Sequence, residues 1–289
     1  MSQVASILTH PGGSHKDELL ACALLAAVHG VPILRREPMQ VDLDDPGTIV
    51  VDVGGEHSPE RGNFDHHQFP RDYPPTCALT LVLQHLELYE DAKVLCDWLE
   101  PAEWFDTRGP VVTAKWLGVE RDVLAKLNSP IDITLLRRFA GSSEITPGET
   151  LYEVLRWVGQ DLIGYLRNLR RRLDELKDLA EVWEISKGEE IFKVLYLPRT
   201  DPMPDEPSMG MAAYINSLGL EKEIVGMIYP DRRGSGFGLS RFNDDERLEF
   251  TRITDEEDVH FAHSRGFVAK TSASDPERLR ELAAKSWIG

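Results

Sequence analysis

The stretch VASILTHPGGSHKDELLACALLAAVHGVPIL, residues 4–34, decides the fold class of this chain. The apolar run from Val4 to Leu8 predicts a strand, and the alanine- and leucine-rich run from Asp17 to His29 predicts a buried helix. Gly30 is typical of a helix end, and Val31 to Leu34 predicts a second strand. A strand, a helix and a further strand in this order favour a parallel sheet in an α/β domain.

Two further strands extend the predicted sheet. The β-branched run from Thr48 to Val53 lies between Pro46-Gly47 and Gly54-Gly55, which predicts a third strand. The segment from Asn63 to Asp65 predicts the end of a fourth. In open α/β sheets, ligands bind outside the carboxyl ends of the strands, so polar residues at these ends are the candidate site.

Residues of metal-ligand type stand at these strand ends. His10 follows the first strand, Asp52 ends the third and Asp65 ends the fourth, so three separated segments are expected to meet in one crevice. The set of candidates in these segments is His10, His15, Asp17, Asp52, Asp65, His66 and His67.

Each motif also has an ordinary structural explanation. The loop from His10 to Asp17 also fits a polar loop with a capping aspartate, strand ends often carry aspartate, and adjacent histidines are often surface residues. Together and in this order, the motifs predict a two-metal site that cleaves phosphate esters. Imidazole and carboxylate ligands without thiolate suit Mn²⁺, and Mg²⁺ or Zn²⁺ less well.

The middle of the chain, from Thr76 to about Leu124, is predicted to be helical and adds two candidate carboxylates, Asp97 and Asp106. Asp106 is followed by a break at Thr107-Arg108-Gly109. A carboxylate at a helix end reaches a site more readily than one within a helix, which favours Asp106.

The remaining chain predicts a long helix and a second domain. Thr146-Pro147-Gly148-Glu149 predicts a helix start, and the helix is expected to reach about Val182. Further on, the pattern predicts a strand, a hairpin and a final helix, which are Ile191–Leu197, Ile224–Phe242 and Ser274–Trp287. We therefore predict an α/β chain with a parallel-sheet domain (1–145), a connector helix (146–185) and a smaller α+β C-terminal domain (186–289).

Composition limits the classes of function. The 289 residues carry a net charge of −17, which argues against binding of long nucleic acid, because such binding depends mainly on Lys and Arg. A small phosphorylated substrate stays compatible with this charge, because two divalent ions would reverse the local field. We expect no membrane span and no signal peptide, since no long apolar run or basic leader occurs. Three scattered cysteines, Cys22, Cys77 and Cys96, fit a reducing, cytoplasmic compartment.

At the candidate residues the sequence resembles the DHH phosphoesterase superfamily, and within it the melanocyte-proliferating-gene-one family of nucleases. The resemblance lies in Thr9-His10…His15-x-Asp17-Glu18, Val50-Val51-Asp52-Val53-Gly54-Gly55-Glu56 and Asp65-His66-His67-Gln68. It implies a parallel-sheet domain, a helical connector, a smaller C-terminal domain that closes over substrate, and two ions, usually manganese. The implied substrates include pyrophosphate, cyclic dinucleotides, short oligonucleotides and single strands.

The resemblance also implies roles for individual residues. His10 and His15 would bind the first ion, Asp17 and His66 the second, and Asp52 both. Asp106 would complete the second site, with Asp97 as the alternative. His67 would contact the scissile phosphate and protonate the leaving oxygen, and Asp65 would orient the histidines.

Four C-terminal residues resemble the positions where the superfamily binds substrate phosphate, and they are Arg241, His263, Arg265 and Lys270. They fit a solvated sheet edge and loop equally well. The chain departs from the nearest family at Gly266-Phe267-Val268-Ala269-Lys270, where a glycine pair is usual, and at Asp106-Thr107-Arg108-Gly109, where Asp-Asn-Gly is usual.

The sequence therefore predicts a manganese-dependent phosphodiesterase that shortens oligonucleotides stepwise. Two rival hypotheses are an inorganic pyrophosphatase with the same ions and a metal-stabilised regulatory protein without turnover. The preference for RNA or DNA, the polarity of cleavage and the oligomeric state are left open by the sequence.

Overall fold

The computed structural model describes residues 3–289 and contains two six-stranded sheets, each accompanied by helices. The chain divides into two compact units, one ending at Arg167 and the other spanning Asn168–Gly289. The α/β class predicted from the sequence is confirmed. The division between the two units falls within a single long helix.

The sheet of the first unit is built around parallel strands. Its strands are β1 (Ser6–Thr9), β2 (Ile33–Arg35), β3 (Thr48–Val51), β4 (His57–Ser58), β5 (Asn63–Phe64) and β6 (Glu144–Ile145). The spatial order is β4-β5-β3-β1-β2-β6. The pairs β1–β2, β1–β3 and β3–β5 are parallel, whereas β4 and β6 are antiparallel strands at the two edges. The four strands predicted in this region are present.

The helices of the first unit include a long one, Thr150–Leu179, that continues into the second unit. They are α1 (Lys16–His29), α2 (Gln40–Asp44), α3 (Ala78–His85), α4 (Tyr89–Leu95), α5 (Leu99–Leu117), α6 (Arg121–Lys126), α7 (Pro130–Ala140) and α8 (Thr150–Leu179). A 3₁₀ turn covers Pro59–Arg61. Helix α1 packs against β1 and β3 and against α3, α5 and α7, so apolar residues occupy almost its whole circumference. Gly30 ends it with φ of 69°, a left-handed conformation that favours glycine.

Of two helix boundaries predicted from the sequence, one is confirmed and one is wrong. The predicted break after Asp106 is confirmed, because Gly109 interrupts α5 with φ of 75° and Pro110 follows it. The predicted start of α8 at Thr146 is wrong by four residues. Gly148 has φ of 93°, and the Thr146 hydroxyl donates to the Glu149 carboxylate, so these residues form a turn before the helix.

The second unit has a mostly antiparallel sheet. Its strands are β7 (Glu181–Lys187), β8 (Glu190–Tyr196), β9 (Ile224–Pro230), β10 (Phe237–Arg241), β11 (Val259–Ala262) and β12 (Val268–Thr271), and its helices are α9 (Met211–Ser217) and α10 (Pro276–Ser286). The spatial order is β11-β12-β10-β9-β8-β7, and β8–β9 is parallel. The predicted hairpin of β9 and β10 is confirmed, and α10 begins after Asp275, whose carboxylate accepts from the Arg278 N–H. A 3₁₀ turn covers Phe250–Ile253.

Across residues 3–289, each helix is either too short or too polar to cross a bilayer.

Gly159 and Gly164, both in the part of α8 that belongs to the first unit, provide a matched test of the packing. A Cβ at Gly159 would lie 2.1 Å from the Ala23 carbonyl oxygen, whereas a Cβ at Gly164 would meet no atom within 4 Å. We expect Gly159→Ala to lower the free energy of unfolding by about 1–3 kcal/mol, because α1 and α8 must move apart. Gly164→Ala should raise it by about 0.5–1 kcal/mol, since alanine favours the helix.

Thermal and urea denaturation of the two variants measure these changes directly. Equal effects of both substitutions would contradict the close approach of α8 to α1.

Candidate metal centre

The candidate ligands lie at the carboxyl ends of neighbouring parallel strands. The loop that follows β1 carries His10 and His15, Asp52 comes directly after β3, and Asp65 and His66 come directly after β5. Parallel pairing of β1 with β3 and of β3 with β5 brings these three ends to one edge of the sheet. The convergence expected from the sequence therefore has a simple topological cause.

Asp52 lies between two groups of ligand atoms. Its Oδ2 atom is 3.5 Å from His10 Nε2, and its Oδ1 atom is 3.0 Å from His66 Nε2. The residue is buried and has φ of 59°, a left-handed conformation that aspartate adopts more readily than most residues. Its N–H donates to the Phe64 carbonyl at 3.0 Å, so the sheet holds this unusual backbone in place.

Asp106 reaches the same centre from α5. Its Oδ2 atom lies 3.2 Å from His66 Nε2, and its Oδ1 atom lies 3.7 Å from His15 Nδ1. Ligand atoms of His15, Asp17 and Asp106 lie within 4.8 Å of one another. The structure thus places Asp106 with the other candidates, whereas Asp97 is exposed between α4 and α5. It also places His15 beside Asp17 and Asp106, and the His15 ring centroid lies 6.4 Å from that of His10, with which the resemblance paired it.

Asp17 supplies the clearest sign that the centre is built for cations. Its side chain is buried, and neither of its carboxylate oxygens has a hydrogen-bond partner within residues 3–289. A buried carboxylate without a hydrogen bond or a counter-ion is costly. The imidazole and carboxylate atoms around it are ligands that divalent ions prefer, so the residues present fit metal ions.

Asp65 and His67 form a separate pair at the rim. The Asp65 Oδ2 atom accepts from the Gly55 N–H at 2.6 Å, and its Oδ1 atom accepts from the His67 N–H at 3.0 Å and lies 2.7 Å from His67 Nδ1. Asp65 is buried, whereas 62% of the His67 side chain is exposed. Asp65 therefore orients His67, and the hydrogen bond between them raises the pKa of His67.

Neighbouring carboxylates raise the pKa of two histidines of the centre, His10 and His66. Asp52, followed by Glu18, raises the pKa of His10 from 6.5 to about 10. Burial opposes protonation of His66, but Asp106 and Asp52 outweigh it and raise its pKa to about 10. Without bound ions, protons on these two histidines offset part of the negative charge.

Two further residues of the centre, Glu18 and Arg35, were not predicted from the sequence. Glu18 is fully buried, and its Oε2 atom accepts from the His15 N–H at 2.7 Å. Arg35 is 3% exposed and donates to the carbonyls of Gly12 at 3.4 Å and Gly13 at 3.0 Å. Glu18 and Arg35 thus hold the loop that carries the first two histidines. A charged residue at the end of a buried strand, as Arg35 is, was the available signal.

Arg241 and Lys270, two of the four C-terminal candidates, already have acidic partners in the second unit. The Arg241 guanidinium lies 3.2 Å from both Asp244 Oδ1 and Glu249 Oε2. Lys270 donates to Asp231 Oδ1 at 2.8 Å. The side chains of Arg241 and Lys270 therefore contribute to the structure of this unit, and a bound phosphate would compete with their acidic partners.

His263 and Arg265 are more accessible. The Arg265 side chain is exposed and has no hydrogen bond or ion pair within residues 3–289. His263 Nδ1 accepts from the Arg265 N–H at 3.1 Å, and its ring lies 4.2 Å from that of Phe267. Arg241, Arg265 and Phe267 line a surface depression of about 410 Å³. Arg265 is thus the most available anion-binding group among the four.

Metal affinity is expected to increase with pH. Ions bound by His10 and His66 must displace protons whose pKa is about 10, so apparent Mn²⁺ affinity should rise by about tenfold per pH unit for each displaced proton. The sign follows from the raised pKa values: without metal each histidine stays protonated until the pH approaches 10, so binding releases its proton throughout the range below that pH. Calorimetric titrations between pH 6.5 and 8.5, in buffers of different ionisation heat, measure the affinity and the protons released.

His29→Gln is the matched control, because His29 lies at the far end of α1, where burial lowers its pKa. It should leave the pH dependence unchanged. Mn²⁺ affinity that is independent of pH in the wild type would show that these histidines are not ligands.

Comparison with known proteins supports the resemblance in the N-terminal segment. Residues 6–78 match the family model MYG1_exonuc, described as Uncharacterised protein family (UPF0160). The chain is 50% identical over 64 residues to the MYG1 exonuclease of Rattus norvegicus and 48% identical over 64 residues to that of Homo sapiens. It is 40% identical over 67 residues to the MYG1 protein of Chlamydia trachomatis.

These matches cover a limited part of each protein. They span 21% of this chain and 16% of the rat and human proteins, and 22% of this chain and of the chlamydial protein. A solved structure, described as a member of the s1p family of ribosomal proteins with a DHH domain, aligns over 98% of this chain and 86% of its own, with 14% identity and a TM-score of 0.34.

The matched segment contains the N-terminal candidates, whereas Asp106 and the four C-terminal candidates lie beyond it. Residues 6–78 are therefore similar to MYG1 proteins, in agreement with the resemblance of these residues to the DHH phosphoesterase superfamily.

Proposed function

We propose that this chain is a manganese-dependent phosphodiesterase that hydrolyses short oligonucleotides stepwise with two divalent ions. The observation that carries the proposal is the position of Asp52, whose two oxygens approach His10 on one side and His66 on the other. A carboxylate in this position can bind two ions at once, as in two-metal phosphatases and nucleases. Names of the relatives that contain the word exonuclease agree with this chemistry.

The proposed ligands divide around Asp52. His10 would hold one ion, and Asp17, His66 and Asp106 would hold the other, with His15 at the side of Asp17 and Asp106. When bound, divalent ions supply charge that stabilises the phosphoryl oxygens and lowers the pKa of the attacking water. Mn²⁺ suits this mixture of imidazole and carboxylate, with Mg²⁺ as the second choice.

His67 is proposed to act on the substrate directly. A carboxylate only accepts hydrogen bonds, so the contact with Asp65 places a proton on His67 Nδ1. The raised pKa of His67 favours a second proton, on Nε2. His67 Nε2 would donate to the scissile phosphate and then protonate the leaving oxygen, while Asp65 stabilises the charged ring.

The surroundings of the centre favour a small substrate. His10, His15, Asp52 and His67 are among the residues that line a depression of about 340 Å³. This volume is at the lower end of the range of about 300–1,000 Å³ for ligand pockets. The net charge of −17 also disfavours a long strand, because each additional phosphate would be repelled.

Hydrolysis after removal and return of metal tests the proposal. Metal-free protein is given Mn²⁺ and is offered a short RNA, a short DNA and pyrophosphate in parallel. We expect stepwise release of mononucleotides, and a loss of at least about 100-fold in Asp52→Asn, because a neutral amide cannot hold both ions. Asparagine tolerates the left-handed backbone of Asp52, so this variant is expected to fold.

Asp122→Asn is the matched control, since Asp122 pairs with Lys126 on the surface of α6. It should retain full activity. Phosphate released from pyrophosphate alone would favour the pyrophosphatase hypothesis. Two bound ions with no turnover of any substrate would favour a regulatory protein.

His67→Gln separates catalysis from metal binding. We expect kcat to fall by about 10²–10⁴-fold, because the variant lacks the general acid, while Mn²⁺ affinity stays at the wild-type level. Ligand atoms of His67, Asp52 and His66 lie within 4.8 Å of one another, so a role for His67 as a ligand is a defined alternative. Loss of one bound ion in His67→Gln would support that alternative and contradict the proposed acid.

A further inference from the structure

Glu18 is a buried carboxylate whose two oxygens have different surroundings. It lies in the first turn of α1 and is fully buried. Its Oε2 atom accepts from the His15 N–H at 2.7 Å, which caps the helix. Its Oε1 atom has no hydrogen-bond partner within residues 3–289. Helix capping therefore accounts for only one of the two oxygens.

The Oε1 atom of Glu18 faces the ligand group of His10 and Asp52. It lies 3.4 Å from His10 Nε2, and His10 Nε2 lies 3.5 Å from Asp52 Oδ2. Ligand atoms of these three residues are all within 4.8 Å of one another. Two atoms that each lie about 2.1 Å from one ion are about 3.0–3.4 Å apart at ordinary coordination angles. The observed separations are close to that range and longer than ordinary hydrogen bonds.

Arg35 does not explain the free oxygen of Glu18. Its Nη2 atom is 3.7 Å from Glu18 Oε1, so it contributes positive charge nearby. Its hydrogen bonds go instead to the carbonyls of Gly12, Gly13 and Phe139. The Oε1 atom thus has His10 and the guanidinium as charged neighbours but no hydrogen bond within residues 3–289, and a bound cation would provide the close partner that it lacks.

We propose that Glu18 is a ligand of the ion held by His10 and Asp52, binding it through Oε1 while Oε2 fixes the loop through His15. The inference rests on the two-ion centre proposed above and adds a protein ligand to its first ion. The first ion then has one imidazole and two carboxylates as protein ligands. Such a set prefers Mn²⁺ or Mg²⁺ over softer ions. A role as a metal ligand also explains why a fully buried glutamate lies beneath the loop.

Titration of Mn²⁺ into Glu18→Gln tests the proposal without any substrate. Glutamine retains an oxygen that can accept from the His15 N–H, but it removes the charge and weakens the ligand. We expect the first ion to bind at least about 100-fold more weakly, since loss of even an indirect partner of a metal ligand costs about 10–100-fold. The second ion should be affected less. Calorimetry gives the affinities, and the visible absorption of Co²⁺ in the same sites reports a changed ligand set.

Glu103→Gln is the matched control, because Glu103 is a buried glutamate of α5 that accepts from the Thr80 hydroxyl at 2.6 Å and belongs to none of the ligand groups within residues 3–289. It should bind both ions with wild-type affinity and an unchanged Co²⁺ spectrum. If Glu18→Gln does not fold, Glu18→Asp keeps the charge beside Arg35 but withdraws the oxygen, and the first ion should again be weakened.

The outcomes separate this inference from the proposed function. Two ions bound with wild-type affinity by a folded Glu18 variant, with an unchanged Co²⁺ spectrum, would show that Glu18 only caps the helix. In that case the two-ion centre itself would stand. A wild-type protein that binds no ion would overturn both the proposed function and the role of Glu18.

Discussion

Repulsion between buried carboxylates is the constraint on which the first unit depends. Parallel pairing of its strands brings Asp52 and Asp65 to one edge of the sheet, where α1 adds Asp17 and Glu18 and α5 adds Asp106. Arg35 contributes one positive charge, and Asp65 is paired with His67. Two divalent ions would add four positive charges and so reduce the repulsion between these carboxylates. Without ions, protons on the histidines can neutralise only part of this charge, and burial together with the charges of Asp52 and Asp106 raises the pKa of Asp17 well above its usual range.

Local sequence patterns predicted the elements that depend on local interactions. The strand at Thr48–Val51 was predictable because β-branched residues lie between glycine and proline boundaries. The end of α1 was predictable because Gly30 provides a left-handed cap. The start of α8 was mispredicted, because Thr146 and Glu149 fit a capping pattern whose side chains instead bond to each other within a turn. The positive φ of Gly148 in that turn is not visible in the capping pattern.

The candidate centre was predictable only where its residues form motifs. His10, Asp52 and His66 stand at strand ends and were found from their positions along the chain. Glu18 was missed because glutamate is common in the first turn of a helix, so its position there gave no sign of a further role. Arg35 was missed because its partners, the carbonyls of Gly12, Gly13 and Phe139, are distant in sequence and depend on the folded structure.

The sheet and the loop make different contributions to the centre. Asp52 is held by the pairing of β3 with β5 and by its N–H bond to Phe64, so its two oxygens have fixed positions. His10 lies on a glycine-rich loop whose geometry depends on Glu18 and Arg35. In the proposed two-ion centre, the sheet would therefore set the spacing of the ions, whereas the loop would position the ligands of one of them. In the proposed function both features would serve the ions and would not distinguish RNA from DNA, so substrate choice would depend on residues that contact the substrate.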